Sequence, residues 1–310
     1  MPEKKLYPRI VFLGTPDFAV ASLSALVEHQ YNVVAVVTAP DKPAGRGMQL
    51  RTSAVKDYAV AHQIPVLQPE KLKNTGFLEE LKSFNADLQI VVAFRMLPEA
   101  VWRMPPMGTV NVHASLLPQY RGAAPINWAI INGEAETGVT TFRLKHEIDT
   151  GDILLQQKVA IHPEDNVGSL YGKLMKAGAE LLLKTVDGLA GNTITDQAQP
   201  GGGDLKHAPK IFKEDGLIDW NREAVSVHNL VRGLSPVPAA YTLLGGKQLK
   251  IFHTHIAHEQ HDQAPGTTDT DGKTYLRFAT NDGWLYCDDV QYEGKKRMDI
   301  ISFLRGYRGH

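Results

Sequence analysis

Two side chains in the stretch VNVHASLLPQYRG, residues 110 to 122, could act together on a carbonyl group. Asn111 and His113 are two positions apart, with β-branched valines beside them, so on a β-strand both would point to the same face. An amide and an imidazole that converge on one point can stabilise an oxyanion. Downstream, KHEIDTGDI supplies Asp149, whose carboxylate could help keep the imidazole cationic and move a proton through a water. This combination suits acyl transfer, in which an amine attacks a carbonyl.

A structural role fits the same three residues. Asn111 could cap a turn, His113 could lie in the core at the end of a buried strand, and Asp149 could be an ordinary turn residue. The spacing alone leaves both interpretations open.

The first half of the chain predicts the sheet that would position these residues. Apolar runs of strand length alternate there with helical patterns, which indicates βαβ units and an α/β doubly wound parallel sheet. In such sheets ligands bind outside the carboxyl ends of the strands, where Gly14, Phe94 and His113 fall. The predicted strands cover residues 9–14, 32–38, 65–68, 88–94 and 108–115.

The composition changes at LAGNTITDQAQPGGGDLKHAPK, where glycine, proline and polar residues are typical of a linker. Beyond it, short alternating runs separated by GG, DG and NDG turns predict a small antiparallel β-barrel or sandwich. We therefore expect a catalytic domain over residues 1–190, a linker over 191–208 and a C-terminal barrel domain over 209–310.

Composition also limits the class of protein. The formal net charge of −1 does not indicate a polyanion-binding chain as a whole, and the single Cys287 fits a reducing compartment. No apolar run approaches the about 20 residues of a membrane helix, and a signal-peptide pattern is lacking. A cytoplasmic protein without a membrane partner is expected. The histidines of FHTHIAHEQH match no metal motif, so no metal is expected.

Local basic clusters could still bind a polyanion. The segment APDKPAGRGMQLRTS, residues 39 to 53, is predicted to be a long irregular loop whose lysine and arginines could reach a phosphate backbone. Solvated charged surface is the alternative interpretation of these clusters, and for the loop it is the simpler one. The cationic residues are Lys42, Arg46 and Arg51 in the loop and Lys206, Lys210, Lys213, Lys295, Lys296, Arg297, Arg305 and Arg308 in the C-terminal region.

The stretch NVHASLLPQYRGAAPINWAIINGEAETGVTTFRL, followed by IDTGDILLQ, resembles the core of the formyltransferases that use 10-formyltetrahydrofolate. The combination of N-x-H, S-L-L-P and D-T-G-D is highly specific. The motifs GTPDFAV and DKPAGRG narrow the resemblance to members that formylate initiator methionyl-tRNA, and HAPKI and IDW extend it over essentially the whole chain.

The resemblance implies transfer of a formyl group from 10-formyltetrahydrofolate, as co-substrate, to the α-amine of initiator methionyl-tRNA, which gives N-formylmethionyl-tRNA for translation initiation. Asn111 and a protonated His113 would hold the oxyanion, and Asp149 would orient water and shuttle the proton. The C-terminal barrel would be of the oligonucleotide-binding type, and a monomer is expected because no feature demands a dimer. Folate would be bound by Ser115, Leu116, Leu117 and Pro118. The tRNA would be bound by Arg46 at the acceptor end and by Lys42, Lys210, Lys295, Lys296 and Arg297.

One departure from the family pattern and two alternatives stay open. The strand before the folate pocket reads VVAFRMLP, so Phe94 and Arg95 stand where Tyr and Gly are expected, which puts the side-chain wall of the pocket in doubt.

A formyltransferase for an amino sugar or a glycinamide ribonucleotide would share the three catalytic residues but would not require DKPAGRG or a basic barrel. A non-catalytic RNA-binding protein on the same fold would have no need of all three.

Overall fold

The computed structural model describes residues 7–44 and 49–307. The strands are β1 (Ile10–Gly14), β2 (Val33–Val37), β3 (Lys42–Ala44), β4 (Gln49–Arg51), β5 (Val66–Leu67), β6 (Leu88–Val92), β7 (Thr109–His113), β8 (Arg121–Gly122), β9 (Glu136–Arg143), β10 (Ile153–Ala160), β11 (His207–Ala208), β12 (Ala240–Leu244), β13 (Lys247–Ala257), β14 (Thr268–Thr270), β15 (Leu276–Ala279), β16 (Trp284–Tyr292) and β17 (Met298–Asp299). The helices are α1 (Asp17–Glu28), α2 (Ala54–Ala61), α3 (Thr75–Ser83), α4 (Glu99–Trp102), α5 (Pro125–Ile131), α6 (Val167–Ala190), α7 (Ala224–Leu234) and α8 (Ile300–Gly306), with a 3-10 turn over Glu214–Gly216.

The chain groups into two compact units. The first comprises Met1–Arg121, Gly138–Val159 and Gly172–Lys206, and the second comprises Gly122–Thr137, Ala160–Tyr171 and His207–His310. Two short segments from the first two hundred residues therefore group with the C-terminal region. The boundaries expected at residues 190 and 208 stay a prediction.

The first unit is built on a seven-stranded sheet with the order β10-β9-β7-β6-β1-β2-β5. β1 pairs in parallel with β2 and with β6, β2 with β5, and β6 with β7. The chain thus extends the sheet from β1 in both directions, which is the doubly wound arrangement predicted from the sequence. β1 and β6 are buried at every position, as expected for apolar strands covered on both faces.

Two features of this unit differ from the sequence expectation. β9 pairs with β7 in antiparallel orientation, with His113 opposite Thr140 and Val110 opposite Arg143, so this side of the sheet is mixed. The segment after β2, expected to be irregular, contains a short antiparallel ladder in which Lys42 of β3 pairs with Arg51 of β4. A two-stranded ladder of three residues a side is too short to give a hydrophobic period in the sequence.

The second unit contains an antiparallel sheet with the order β12-β13-β16-β15-β14, and β17 pairs with β16. The pairing of β13 with β16 shifts register at Ile251/His253 and at His253/Thr254, and such bulges increase the local twist and bend the strand. The apolar faces of α7 and α8 pack on the sheet through Val227, Val231 and Phe303. The predicted small barrel is confirmed as a curled antiparallel half-barrel.

In the part of the chain that the structure describes, no helix is both long and apolar enough to cross a membrane. The longest is α6, with 24 residues, and it carries lysines and a glutamate among its apolar positions.

His228 on α7 connects the helix to the sheet of the second unit. Its Nδ1 lies 2.9 Å from Oγ1 of Thr254 on β13. Burial, together with the positive charge of Arg232, lowers the pKa of His228 to about 4. A neutral imidazole at this position therefore contributes to the stability of the fold.

This burial predicts a pH-dependent contribution to stability. The unfolded chain binds a proton on His228 near pH 6.5, whereas the folded chain resists protonation until about pH 4. The stabilisation is therefore complete above pH 6.5 and decreases as the pH falls towards 4. We expect urea unfolding to show a stability advantage of the natural chain over His228→Gln that shrinks across this window. An advantage that is constant with pH would contradict the assignment.

Candidate active site

Asn111 and His113 lie on β7, and His113 is its last residue. They alternate with Val110 and Val112, so both side chains point to one face of the sheet, as the spacing predicts. His113 is buried, whereas Asn111 is half-buried. Among the residues that the structure describes, the side-chain amide of Asn111 has no hydrogen-bond partner.

The His113 ring is held from two sides. Nε2 lies 2.9 Å from the carbonyl oxygen of Tyr120, and because a carbonyl only accepts, Nε2 carries the hydrogen. Nδ1 faces Oδ2 of Asp149 at 3.8 Å. The ring meets Phe142 edge to face, with ring centroids 6.5 Å apart. The imidazole therefore has one nitrogen on the protein backbone and the other towards a carboxylate.

Asp149 reaches His113 from the loop between β9 and β10. Because β9 is antiparallel to β7, this loop starts beside the beginning of β7, where Leu144 N donates to Thr109 O at 2.8 Å. The loop then folds back so that Asp149, only 8 % exposed, lies beside the end of β7. Asp149 has a φ of 54°, a left-handed conformation that is uncommon for a residue with a side chain. The position of the carboxylate therefore depends on a tightly shaped turn.

Gly151 gives this turn its shape. A Cβ atom at Gly151 would lie 1.6 Å from the carbonyl oxygen of Arg143, which is backbone and cannot rotate away. The side chain of Phe142 would lie 3.2 Å away. The D-T-G-D motif therefore requires glycine at its third position for close packing against β9.

The S-L-L-P segment begins directly after β7 and is fixed by hydrogen bonds. Ser115 Oγ donates to Gln119 O at 2.7 Å, and Thr140 Oγ1 on β9 donates to Ser115 O at 2.7 Å and accepts from Leu117 N at 3.1 Å. The side chains of Ser115 and Leu117 are buried, and Leu117 packs with Phe142. Of the four predicted folate-binding residues, Leu116 and Pro118 retain partly exposed side chains.

Phe94 and Arg95, the departure from the family pattern, have structural partners in the first unit. Phe94 packs against the buried cluster that contains Val91 and Val101. Arg95 Nη1 donates to Glu70 O at 2.8 Å, and Nη2 donates to Pro69 O. The arginine therefore joins the segment after β6 to the segment after β5.

The predicted tRNA-binding cations differ in their surroundings. Arg46 lies outside the described residues, whereas Lys42 is exposed on β3 in the first unit. In the second unit Lys295 and Lys296 are exposed, and Lys210 lies 5.3 Å above the ring of the equally exposed Phe212. Arg297 is engaged: its guanidinium bonds Asp289 Oδ2 at 2.5 Å and lies 4.2 Å from the centroid of Phe252.

The structure adds residues near the site that the sequence did not indicate. Tyr120 and Phe142 contact His113, and Gln199 contacts the Asp149 turn. Gln199 lies in QAQPGGGD, whose composition indicated a linker. No signal in the sequence alone could identify these contacts, because they are tertiary contacts that form only when the chain folds.

Histidines of the second unit make a separate polar group. His253 and His255 on β13 place their Nδ1 atoms 2.9 and 2.8 Å from the carboxylate of Asp288 on β16. Within residues 7–44 and 49–307, no group of three or more His, Cys, Asp or Glu side chains is arranged to hold a metal ion.

The close contact at Gly151 predicts a stability effect. Gly151→Ala has to displace the loop or β9, so we expect urea unfolding to show a loss of at least about 2 kcal/mol. Gly172→Ala on α6 is the matched control, because nothing lies within 4 Å of its added methyl group. That control should be unchanged or more stable by up to about 1 kcal/mol. Equal stability of the two variants would show that the loop tolerates a side chain at Gly151.

Comparison with known proteins identifies the family of the chain. The family profile described as Formyl transferase matches residues 8–186, and the profile described as Formyl transferase, C-terminal domain, matches residues 210–308. The chain is 52% identical over 312 residues to the methionyl-tRNA formyltransferase of Bacteroides fragilis, with 98% of this chain and 96% of that protein covered. It is 54% identical over 315 residues to the methionyl-tRNA formyltransferase of Parabacteroides distasonis, with 98% and 97% covered.

Solved structures show the same fold at low sequence identity. HypX from Aquifex aeolicus in complex with tetrahydrofolic acid has a TM-score of 0.66 and 20% identity, over 98% of this chain and 49% of HypX. The N-formyltransferase from Helicobacter canadensis, in complex with folinic acid and dTDP-3-aminofucose, has a TM-score of 0.67 and 19% identity, over 92% and 99%. With two family profiles and relatives of more than half identity along nearly its whole length, the chain belongs to the formyl transferase family.

Proposed function

We propose that this chain transfers a formyl group from 10-formyltetrahydrofolate to the free α-amino group of initiator methionyl-tRNA. The observation that carries the proposal is identity of 52% and 54%, over 98% of the chain, to proteins named methionyl-tRNA formyltransferase. The arrangement of Asn111, His113 and Asp149 supports the chemistry, and the second, C-terminal family profile supports the whole-chain comparison.

Asn111 and His113 would stabilise the oxyanion. When the α-amine attacks the formyl carbon, a C–N bond forms and negative charge develops on the formyl oxygen. Among the described residues the half-buried Asn111 amide has no hydrogen-bond partner, so it could donate to that oxygen, and the imidazole lies on the same face of β7. A doubly protonated His113 could donate from Nε2 to Tyr120 O and present a charged Nδ1–H to the site.

Asp149 would move the proton that the reaction releases. The attacking amine loses a proton, and the bond from the formyl carbon to N10 of the folate breaks as that nitrogen gains one. Asp149 lies 3.8 Å from His113 Nδ1, a distance that is too long for a direct hydrogen bond. The carboxylate could pass the proton through one water, since general acid–base groups act directly or across a single water.

The folate would bind beside the S-L-L-P segment and supply the formyl group on N10. Leu116 and Pro118 offer partly exposed apolar side chains, whereas the enclosed Ser115 and Leu117 would shape the wall from behind. The backbone after β6, held by Arg95 to the carbonyl oxygens of Pro69 and Glu70, would form another part of this wall.

The tRNA would be held by cations at a distance from the reacting atoms. We assign Arg46 to the acceptor end and Lys42, Lys210, Lys295 and Lys296 to phosphates, which lysines bind as point charges. We also assign Arg297 to a tRNA phosphate. Its guanidinium already donates to Asp289, so the phosphate would have to compete with that carboxylate. The half-barrel of residues 209–310 would present the C-terminal cations, and residues 1–190 would carry out catalysis. A translation enzyme of this kind would act in the cytoplasm, as a monomer.

A formyltransferase for an amino sugar is the second candidate. The enzyme from Helicobacter canadensis and this chain share the fold, with a TM-score of 0.67. An identity of 19% shows a common fold, but it does not indicate that this chain uses the same acceptor as that enzyme. The relatives of more than half identity favour methionyl-tRNA, and an assay with both acceptors separates the candidates.

We expect Asp149→Asn to lose turnover by about 10²–10⁴-fold, because the amide cannot accept the proton. The measurement is mass-spectrometric detection of formyl groups on methionyl-tRNA and, in parallel, on an amino sugar, with 10-formyltetrahydrofolate as donor. Thermal unfolding checks that the variant folds.

Glu147→Gln is the control for this experiment, because Glu147 is exposed in the same loop and should leave turnover near the natural value. Unchanged turnover in Asp149→Asn would remove Asp149 from the mechanism. Formyl transfer by the natural chain to the sugar but not to methionyl-tRNA would replace the proposed function with the second candidate.

Phosphate contacts predict a steep dependence of tRNA affinity on salt. Each lost phosphate contact should lower the slope of log affinity against log salt by about 0.7 to 0.9. We therefore expect Lys295→Ala with Lys296→Ala to flatten this slope in filter binding. Lys273→Ala, in the exposed turn between β14 and β15, serves as the control. An equal slope in the natural chain, the double variant and the control would show that Lys295 and Lys296 do not contact phosphates.

A further inference from the structure

We propose that Gln199 is a positioning residue that holds the Asp149 turn in its working geometry and, through Arg121, joins this turn to the backbone that holds His113. The proposal rests on the proposed function, since it gives Gln199 a part in the same formyl transfer. It assigns a role to a segment whose composition indicated only a linker.

The Gln199 side chain spans two parts of the site. Its Nε2 donates to Asp149 O at 2.7 Å and to Gly151 O at 2.8 Å. Its Oε1 accepts from Arg121 Nε at 3.1 Å and from Arg121 Nη2 at 2.5 Å. Both N–H donors of the amide and its oxygen are therefore used. A flipped amide would set its oxygen against two carbonyl oxygens, so the partners fix its orientation.

The Asp149 turn needs such a partner. Asp149 has a φ of 54°, and a non-glycine residue in this region costs on the order of 1 kcal/mol or more, so the surroundings must maintain it. Two carbonyls of the turn, at Asp149 and Gly151 on either side of Thr150, accept from the same amide group. A donor pair at this place fixes the direction of the turn and, with it, the carboxylate beside His113.

Gln199 is itself held firmly. Two positions before it, Gln197 forms a backbone pair with Ile153 at the start of β10, with N–O distances of 2.7 and 2.8 Å. Asp196 accepts from Arg143 Nε at 3.2 Å. The segment is therefore attached to the two strands that flank the Asp149 loop, and a bond from Gln199 constrains the loop.

Arg121 completes a closed circuit of contacts. It follows Tyr120, whose carbonyl accepts from His113 Nε2 at 2.9 Å. The circuit runs from His113 to Tyr120, along the backbone to Arg121, across to Gln199, then to Asp149 and back to His113 Nδ1 at 3.8 Å. The same set of contacts therefore fixes the positions of both His113 and Asp149. This matters because displacement of a reacting group by about 1 Å can cost on the order of 10²-fold in rate.

Gln199→Glu tests the proposal sharply. The carboxylate keeps a partner in Arg121 but has no N–H, so the carbonyls of Asp149 and Gly151 lose their donor and face a negative charge. We expect kcat for formyl transfer to methionyl-tRNA to fall about 10- to 100-fold, as is usual for residues that orient catalytic groups. KM for the formyl donor and for the tRNA should stay within about threefold, because no substrate contact is removed.

Gln197→Glu is the matched control. Gln197 lies in the same segment with an exposed side chain and uses only its backbone, so this variant should keep kcat and both KM values. It introduces the same negative charge two positions away. A loss of kcat in both variants would attribute the effect to charge and overturn the proposal.

A double-mutant comparison with Asp149 distinguishes a positioning residue from one that only stabilises the fold. In an Asp149→Asn background, Gln199→Glu should cause little further loss, because the group it positions is already disabled. The same factor lost in both backgrounds, a kcat of Gln199→Glu within twofold of the natural value, or an effect confined to KM would overturn the proposal.

A measurement of the loop itself needs no turnover. Hydrogen exchange should be faster in peptides covering residues 147–151 of Gln199→Glu than in Gln197→Glu, and equal exchange would overturn the proposal. Gln199→Asn, which keeps the amide but is too short to reach, replaces Gln199→Glu if the charged variant does not fold. Absence of formyl transfer by the natural chain would instead count against the proposed function, while the exchange result would still test the role of Gln199.

Discussion

The antiparallel pairing of β9 with β7 is the constraint on which the site depends. It makes the loop after β9 begin beside Thr109, at the opposite end of β7 from His113. A carboxylate from that loop can reach the imidazole only if the chain turns back over the sheet. The buried position of Asp149, its left-handed backbone and the tight packing of Gly151 all follow from this return path.

The side chains of the site differ in whether the protein already holds them. His113 is held by the hydrogen bond of Nε2 to Tyr120 O, with Nδ1 facing Asp149, and the Asp149 turn is held through its carbonyls, so neither group has to be ordered when substrate arrives. The Asn111 amide, in contrast, lacks a side-chain partner within the described residues. Preorganised groups beside one free donor are what oxyanion stabilisation requires, because the protein does not reorganise as charge develops.

Much of the fold could be predicted from the sequence, because β1 and β6 are largely apolar runs of strand length and such strands are typical of parallel sheets covered on both faces. Asn111 and His113 could be paired because the strand period is fixed at two residues. Gln199 could not be found, since its contact with Asp149 spans 50 positions and arises only from the paths of β9 and β10. The partners of Arg95 were equally hidden, because they lie after a different strand.

The segment that joins α6 to β11 is not uniform, and this has a consequence for changes in chain length. Gly201, Gly202 and Gly203 are exposed with open space around them, and two of them have left-handed φ angles of 87° and 90°. Insertions there would lengthen a surface loop at little entropic cost. One residue added between Gln197 and Gln199 would move the amide away from the Asp149 turn while the Ile153 bridge stayed in place. Natural length variation in this region should therefore be confined to the glycines.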